Sequence, residues 1–202
     1  DWMWYQAWMR YAWNPDYEET TEKLYWTKEL ASYFGCSDQA GAEVLEALEK
    51  IGECAPRILR RIGITEGNRQ TMALGMTMSE LTNVKKYRPN YELWKSVSTP
   101  GEQPDEYVLK NIKGERHFGE TPVEMARDVL RFSEEALAVI KKAGESVTKN
   151  REEYERYVTD IQATRLICQV YAKKVEAAVK VLTYKYTMDE ELKGDVSILE
   201  AA

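Results

Sequence analysis

The sequence predicts an all-α fold, a largely antiparallel multi-helix bundle with a long irregular connection near residues 82–120. Two patterns in the second half carry this prediction. Thr121-Pro122-Val123-Glu124 is a capping box with proline at the first helical position, so a helix begins there and runs to about residue 142. After residue 150, apolar and small side chains recur at spacings of three and four for about nine turns. A helix of roughly 50 Å needs partners along its whole length, and no segment carries a competing strand signal.

The apolar positions of these two helices define the predicted core of the second half. The first helix has its stripe at Val123, Ala126, Leu130, Ser133, Leu137 and Ile140. The long helix has its seam at Tyr154, Tyr157, Ile161, Thr164, Cys168, Tyr171, Val175, Ala178 and Leu182. Asn150 with Glu153 is expected to cap the long helix, and Thr187 with Glu190 suggests one more helix after it.

The first half also follows helical spacing. An aromatic opening helix should end at Asn14-Pro15, because proline disfavours helical geometry in the residue before it. Asp16 is expected to cap a second helix over residues 17–34, which Gly35 ends in a left-handed conformation.

Ser37 or Asp38 offers the cap for a third helix, which Pro56 should kink or split. A fourth helix is expected over residues 68–81, followed by a stretch rich in proline and glycine with a helical turn around residues 105–111. We therefore expect an aromatic-rich helical subregion (1–83), an irregular connection (84–120) and a long-helix bundle subregion (121–202). Together they form one compact domain, and the start without methionine suggests that it is cut from a larger protein.

Composition excludes several function classes. The chain has 202 residues, 44% of them hydrophobic, and a formal net charge of -6. An acidic balance argues against a nucleic-acid partner, since phosphate binding requires concentrated lysine and arginine. No stretch approaches the length of apolar sequence that a membrane span requires.

Residues with catalytic or ligating chemistry are sparse. The three cysteines, Cys36, Cys54 and Cys168, lack metal-ligand spacing, and we expect inert thiols, although Cys36 and Cys54 would pair if two helices brought them together. His117 is either a general acid or base or a solvent-exposed loop residue. No catalytic residue, metal site or cofactor is predicted.

Two polar clusters allow a functional and a structural interpretation. The arginines Arg57, Arg60 and Arg61 would clamp an acidic sugar or a phosphate, or else form salt bridges with the acidic excess. The second cluster would hold a sugar hydroxyl network or an interface, or simply cap a helix. Its residues are Glu66, Asn68, Arg69 and Gln70.

The opening helix is the strongest candidate for a ligand or interface. Four of the six tryptophans, Trp2, Trp4, Trp8 and Trp13, fall in the first thirteen residues and make this helix apolar almost all round. One small domain would not cover every face, so we expect a surface that meets a neighbouring domain, a partner or a ligand. We also expect the rings to be largely packed, so that removal of residues 1–13 destabilises the remainder.

Several sequence motifs are spread over nearly the whole chain: Trp8-Met9-Arg10-Tyr11-Ala12-Trp13-Asn14-Pro15-Asp16, Trp26, Tyr33-Phe34-Gly35, Gly119-Glu120-Thr121-Pro122, Asp160-Ile161 and Tyr171-Ala172-Lys173-Lys174. In these motifs the chain resembles the region after the catalytic barrel of α-glucuronidases and related large bacterial glycoside hydrolases. The resemblance implies a C-terminal helical appendage that supports the barrel, forms oligomer contacts or borders the substrate cleft. The catalytic carboxylates of such enzymes lie in the barrel, so none is carried over, and the parent protein would be secreted or periplasmic.

Two functions follow as hypotheses. The first is a non-catalytic accessory or scaffold domain of a carbohydrate-active enzyme, whose partner is the catalytic domain of the same polypeptide. The second is a carbohydrate-binding module that uses exposed tryptophan and tyrosine rings. Coplanar rings open to solvent in a cleft would favour sugar binding, whereas rings interleaved with Leu24, Leu30 and Val44 would favour a scaffold.

Overall fold

The computed structural model describes residues 2–63, 77–83 and 99–194. In chain order the helices are α1 (Trp2–Trp13), α2 (Glu19–Phe34), α3 (Asp38–Gly52), α4 (Cys54–Ile58), α5 (Met78–Thr82), α6 (Pro104–Lys113), α7 (Pro122–Ala143) and α8 (Arg151–Thr187). A π-helical turn, Leu59–Gly63, extends α4, and 3-10 turns lie at Gly144–Ser146 and Glu190–Leu192. The predicted all-α class is confirmed, since the described residues contain no β-strand and only an isolated bridge between Gly101 and Glu120.

The four longest helices form the body of the bundle. Helix α2 packs along α3, α3 along α7, and α7 along α8. Cross-helix ion pairs give the direction of packing: Glu43 pairs with Lys142 and Lys50 with Glu135, so α3 and α7 run antiparallel. Helix α8 has 37 residues, or about 55 Å at 1.5 Å per residue.

The core consists of two clusters along this bundle. One lies between α2, α3, the end of α7 and the start of α8, and its centre is Phe34, which packs edge-to-face on Tyr154 at 5.2 Å. The other lies between α4, α7 and the second half of α8, and contains Cys54, Met125 and Tyr171. The long seam of α8 is therefore divided between two sets of partners.

The stripe predicted for α7 is only partly correct. Ala126, Ser133 and Ile140 are buried, whereas Val123, Leu130 and Leu137 are only partly buried. The other buried positions are Pro122, Met125, Val129, Ala136 and Ala143. Helix α7 contacts α3, α4 and α8, so its buried sector is wider than one stripe and is centred on a neighbouring set of positions.

Several predicted helix ends are confirmed. Thr121 Oγ1 accepts a hydrogen bond from the Glu124 N–H at 3.1 Å, and the Glu124 carboxylate accepts from the Thr121 N–H at 2.9 Å. Ser37 caps α3, and Gly35 ends α2 with φ of 59°. The third helix is split, as predicted, although the break falls at Glu53 and places Pro56 in the first turn of α4.

Two other predicted ends are wrong. Helix α2 is capped by Glu18 rather than Asp16: its carboxylate accepts from the N–H groups of Thr20 and Thr21. The Thr21 hydroxyl also donates to this carboxylate at 2.5 Å, and the bonds with Thr21 and Thr20 together lower the pKa of Glu18 to about 2. Asn150 forms no side-chain cap, because its backbone is left-handed and its amide donates to the Tyr33 carbonyl. After Thr187, Asp189 caps a 3-10 turn, and the described residues end at 194, so the further helix expected there stays a prediction.

Other predictions are only partly covered by the structure. Helix α6 accounts for the helical turn expected near residues 105–111 within the irregular connection. Most of the fourth predicted helix, residues 68–81, lies outside the described residues, with α5 at its end. The subregion boundaries at residues 83 and 120 stay predictions. In the described ranges, no helix has the length and apolar character needed to cross a bilayer.

Candidate interface on helix α1

The inner face of α1 is fixed to α2 by a polar fork. Arg10 donates from Nε and Nη2 to the two carboxylate oxygens of Glu22, at 2.8 and 2.7 Å. The Arg10 guanidinium also lies over the Tyr25 ring, 3.7 Å from its centroid. Hydrogen bonding to Arg10 lowers the pKa of Glu22, so the pair is charged at neutral pH.

Further contacts on the inner face are also directional. Gln6 Nε2 donates to the Tyr25 hydroxyl at 2.6 Å, and the Trp26 indole N–H donates to the Tyr11 hydroxyl at 2.7 Å. Trp2 packs on Tyr33 with ring centroids 4.5 Å apart. Bidentate and aromatic contacts of this kind define the orientation of α1 more sharply than apolar burial alone.

The outer face of α1 is apolar and exposed. The exposed fractions are 54% for Trp4, 64% for Tyr5, 60% for Trp8 and 74% for Met9, and Trp13 at the end of the helix is 91% exposed. The expectation that the rings are largely packed is therefore wrong for Trp4, Trp8 and Trp13. The cause is that α2 covers only one side of a helix with aromatic residues on every side.

The exposed rings of the outer face are not arranged as a flat sugar platform. Trp4 and Trp8 meet edge-to-face, with centroids 5.4 Å apart and an interplanar angle of 81°. Trp4 meets Tyr5 in the same way, at 5.2 Å and 86°. These rings are neither coplanar nor interleaved with the core, so they form an uneven apolar surface, of the kind that marks protein contacts.

The second candidate cluster cannot be placed. Glu66, Asn68, Arg69 and Gln70 lie outside the described residues. Their role as ligand or interface residues stays a prediction.

Two of the three arginines after Pro56, Arg57 and Arg61, are engaged in salt bridges. Arg61 is fully buried and donates from Nε to Glu120 at 3.0 Å and from Nη2 to the Thr99 carbonyl at 3.0 Å. Arg57 reaches Glu120 at 3.3 Å and Asp128 at 3.4 Å. These two guanidinium groups tie the irregular connection to the bundle, which favours the structural interpretation over an anion clamp.

His117 belongs to a network that the sequence alone does not reveal. Its Nδ1 lies 2.8 Å from Glu102 Oε2, its Nε2 lies 3.0 Å from Asn111 Oδ1, and its ring stacks on Tyr107. Glu102, 15 residues earlier, is only 2% exposed. It also accepts hydrogen bonds from Lys110 Nζ at 2.6 Å and the Phe118 N–H at 2.7 Å. The histidine is thus neither a free loop residue nor paired with a nucleophile, and it anchors the 114–119 loop.

The cysteines are free thiols. Cys36 and Cys54 do not pair, because Cys36 lies beside one core cluster and Cys54 inside the other. The buried neighbour of Cys54 is Cys168, and their mutual contact and burial raise the pKa of Cys54. Within the described ranges, no group of three or more histidine, cysteine or acidic side chains has metal-site geometry.

Comparison with known proteins gives the chain a context. No protein-family model and no curated protein matches it. The solved structure of a GH138 enzyme targeting pectin rhamnogalacturonan II matches 98% of the chain, with a TM-score of 0.89 and 38% sequence identity. The chain is related to a helical region of a glycoside hydrolase. It spans only 24% of the length of that enzyme's chain, so the likeness concerns one part of a larger protein.

Proposed function

We propose that this chain is a non-catalytic helical domain of a multidomain glycoside hydrolase, with the outer face of α1 packed on the catalytic part of the same polypeptide. The observation that carries the proposal is this outer face, where Trp4, Tyr5, Trp8 and Met9 are more than half exposed on a helix whose inner face is rigidly attached. The similarity to about a quarter of a GH138 enzyme supports an occupant in the same polypeptide.

The partners of the buried carboxylates support a non-catalytic role. The buried carboxylates of Glu22, Glu43 and Glu102 are engaged with basic partners inside the domain. A glycosidase needs two carboxyl groups facing a sugar from opposite sides of the scissile bond. We infer that these carboxyls lie in the parent's catalytic part. An α-glucuronidase-like activity and a secreted or periplasmic location belong to the same proposal.

The docking proposal is tested with the double variant Trp4→Ser/Trp8→Ser. In the isolated 202-residue chain both rings are exposed, so we expect a change in unfolding free energy within about 0.5 kcal/mol. In the intact parent enzyme the same variant should lower the melting temperature and increase hydrogen exchange on the facing surface of the catalytic part.

The matched control is Leu24→Ser/Ile112→Ser, which removes two exposed apolar side chains away from the outer face of α1. It should change neither the unfolding free energy of the isolated chain nor the melting temperature of the intact enzyme. If the Trp4/Trp8 variant leaves the melting temperature and hydrogen exchange of the intact enzyme unchanged, docking through this face is ruled out. Dimerisation of the intact enzyme that is lost in this variant would assign the face to a second copy instead.

Activity provides a separate test. The isolated chain should show no turnover of aryl-glucuronides or other aryl-glycosides. Robust hydrolysis that survives repurification would overturn the non-catalytic assignment.

A further inference from the structure

A concave region of about 600 Å³ lies at the C-terminal end of α1, beside α2. Its lining residues are Gln6, Met9, Arg10, Tyr11, Trp13, Asn14 and Glu22. Trp13 is the most exposed large apolar side chain among the described residues, with 91% of its surface open to solvent. The region differs in character from the outer face, because four of its lining side chains are polar or charged, although Met9 belongs to both.

These polar groups retain hydrogen-bonding capacity. Arg10 uses Nε and Nη2 for Glu22, which leaves Nη1 without a partner among the described residues. Gln6 uses its amide nitrogen for Tyr25 and Glu29, and no described residue donates to its Oε1. The Asn14 amide likewise has no partner within the described ranges, although its backbone N–H bonds to the Arg10 carbonyl.

The Arg10 side chain is already fixed in place, which reduces the conformational entropy that a ligand would lose on binding. Glu22 is 8% exposed and forms a salt bridge with Arg10 at 2.7 Å, and the Arg10 guanidinium packs over the Tyr25 ring. The fork also balances the charge of the site, since one guanidinium faces one carboxylate. A neutral ligand therefore fits better than an anion, which would have to compete with Glu22 for the same guanidinium.

We propose that this concavity binds a neutral saccharide, with Trp13 stacking on one face of a sugar ring and with Arg10 Nη1, Gln6 Oε1 and Asn14 bonding to its hydroxyls. A pyranose ring presents an apolar C–H face and a rim of hydroxyls, and an exposed indole beside free donors and acceptors complements both. Trp4 and Trp8 do not line this concavity, and their rings meet edge-to-face. This site does not depend on the docking proposal, since Trp4, Tyr5 and Trp8 of the outer face lie outside its lining and only Met9 borders both.

The test is isothermal titration of the 202-residue chain with four oligosaccharides at millimolar concentration. Cellohexaose, xylohexaose and β-1,4-galactotetraose are the neutral probes, and tetragalacturonate is the charged comparison. We expect saturable binding of at least one neutral probe and weaker binding of tetragalacturonate. Trp13→Ala should lower the affinity for that probe at least about tenfold, and Asn14→Ala should lower it several-fold.

The matched control is Trp8→Ala, which removes another exposed indole from the same helix and should change the affinity less than about twofold. Both tryptophans are exposed, so circular dichroism and melting temperature should be unchanged in either variant. The proposal is overturned by the absence of saturable binding of all three neutral probes, by preferred binding of tetragalacturonate, or by equal losses in Trp13→Ala and Trp8→Ala. Each of these results leaves docking through the outer face untouched.

Discussion

The buried carboxylate of Glu102 is predicted to hold the 114–119 loop in place, and Glu102→Gln tests this role. The substitution preserves shape but removes the charge that accepts hydrogen bonds from Lys110, His117 and the Phe118 N–H. A glutamine oxygen can still face Lys110 and Phe118, while its amide nitrogen faces His117. The variant therefore loses mainly the charge assistance of the bonds to Lys110 and His117.

The expected loss of unfolding free energy follows from the usual strength of hydrogen bonds to charged groups. Hydrogen bonds to charged groups contribute about 1.5–3 kcal/mol each, and glutamine keeps part of this, so we expect Glu102→Gln to cost about 2–3 kcal/mol. For a domain of about 200 residues this lowers the melting temperature by roughly 5–10 °C. Urea unfolding at pH 7 measures the loss. The control is Glu115→Gln in the same loop, whose exposed carboxylate lies 3.9 Å from Lys113 and should matter little.

The pH dependence gives the same prediction a second readout. Burial on its own raises the pKa of Glu102, but the bonds from Lys110, His117 and Phe118 outweigh it, so the pKa lies below its ordinary value. A lowered pKa in the folded state stabilises the protein above the unfolded value of about 4.3, and this contribution is lost as the pH falls through the folded pKa. The gap in unfolding free energy between wild type and Glu102→Gln should therefore shrink below about pH 4. A gap below about 0.5 kcal/mol at pH 7, or one that widens in acid, would refute the reasoning.

Two further predictions concern the core and the turns. In the native protein only Cys36 should react with a thiol reagent within minutes, because Cys54 and Cys168 are fully buried. All three thiols should react in denaturant, and rapid labelling of all three in the native protein would contradict the packing. Gly35→Ala should destabilise by about 1–3 kcal/mol in urea unfolding, because φ is 59° and the added Cβ would lie 2.6 Å from Thr148 Oγ1. Gly52→Ala meets no atom within 4 Å and should be neutral or stabilising by up to about 1 kcal/mol, so equal effects of the two substitutions would count against this explanation.

Local signals in the sequence predict much of the helical framework. The capping box at Thr121, the cap at Ser37 and the left-handed Gly35 each depend on residues within one turn. Such interactions are decided by neighbours in the chain, and the structure confirms all three. The seam of α8 is predicted for a similar reason, since its periodicity persists over many turns.

The failed predictions share a dependence on distant partners. Asn150 does not cap α8 because the Tyr33 carbonyl, 117 residues away in sequence, takes its amide proton. His117 is fixed by Glu102, and neither residue lies in a recognisable motif. A salt bridge with Glu22 fixes Arg10, which a sequence pattern marks only as part of an aromatic stretch. Each outcome depends on which elements pack together, and periodicity does not specify that.

Helix α1 shows why its composition alone was ambiguous. An all-round apolar helix is expected to be buried on all sides, yet α1 is attached through a guanidinium fork, two hydroxyl bonds and the packing of Trp2, Met3, Ala7 and Tyr11 on the core. Because these contacts fix the helix on α2, its attachment does not require Trp4, Trp8 or Trp13 to be buried. In the two proposals the same aromatic content serves two surfaces of different chemistry. Edge-to-face rings suit a protein surface, whereas one indole that shares a concavity with two amides and a guanidinium suits a sugar. The setting of each tryptophan, rather than the number of tryptophans, distinguishes the two proposed functions.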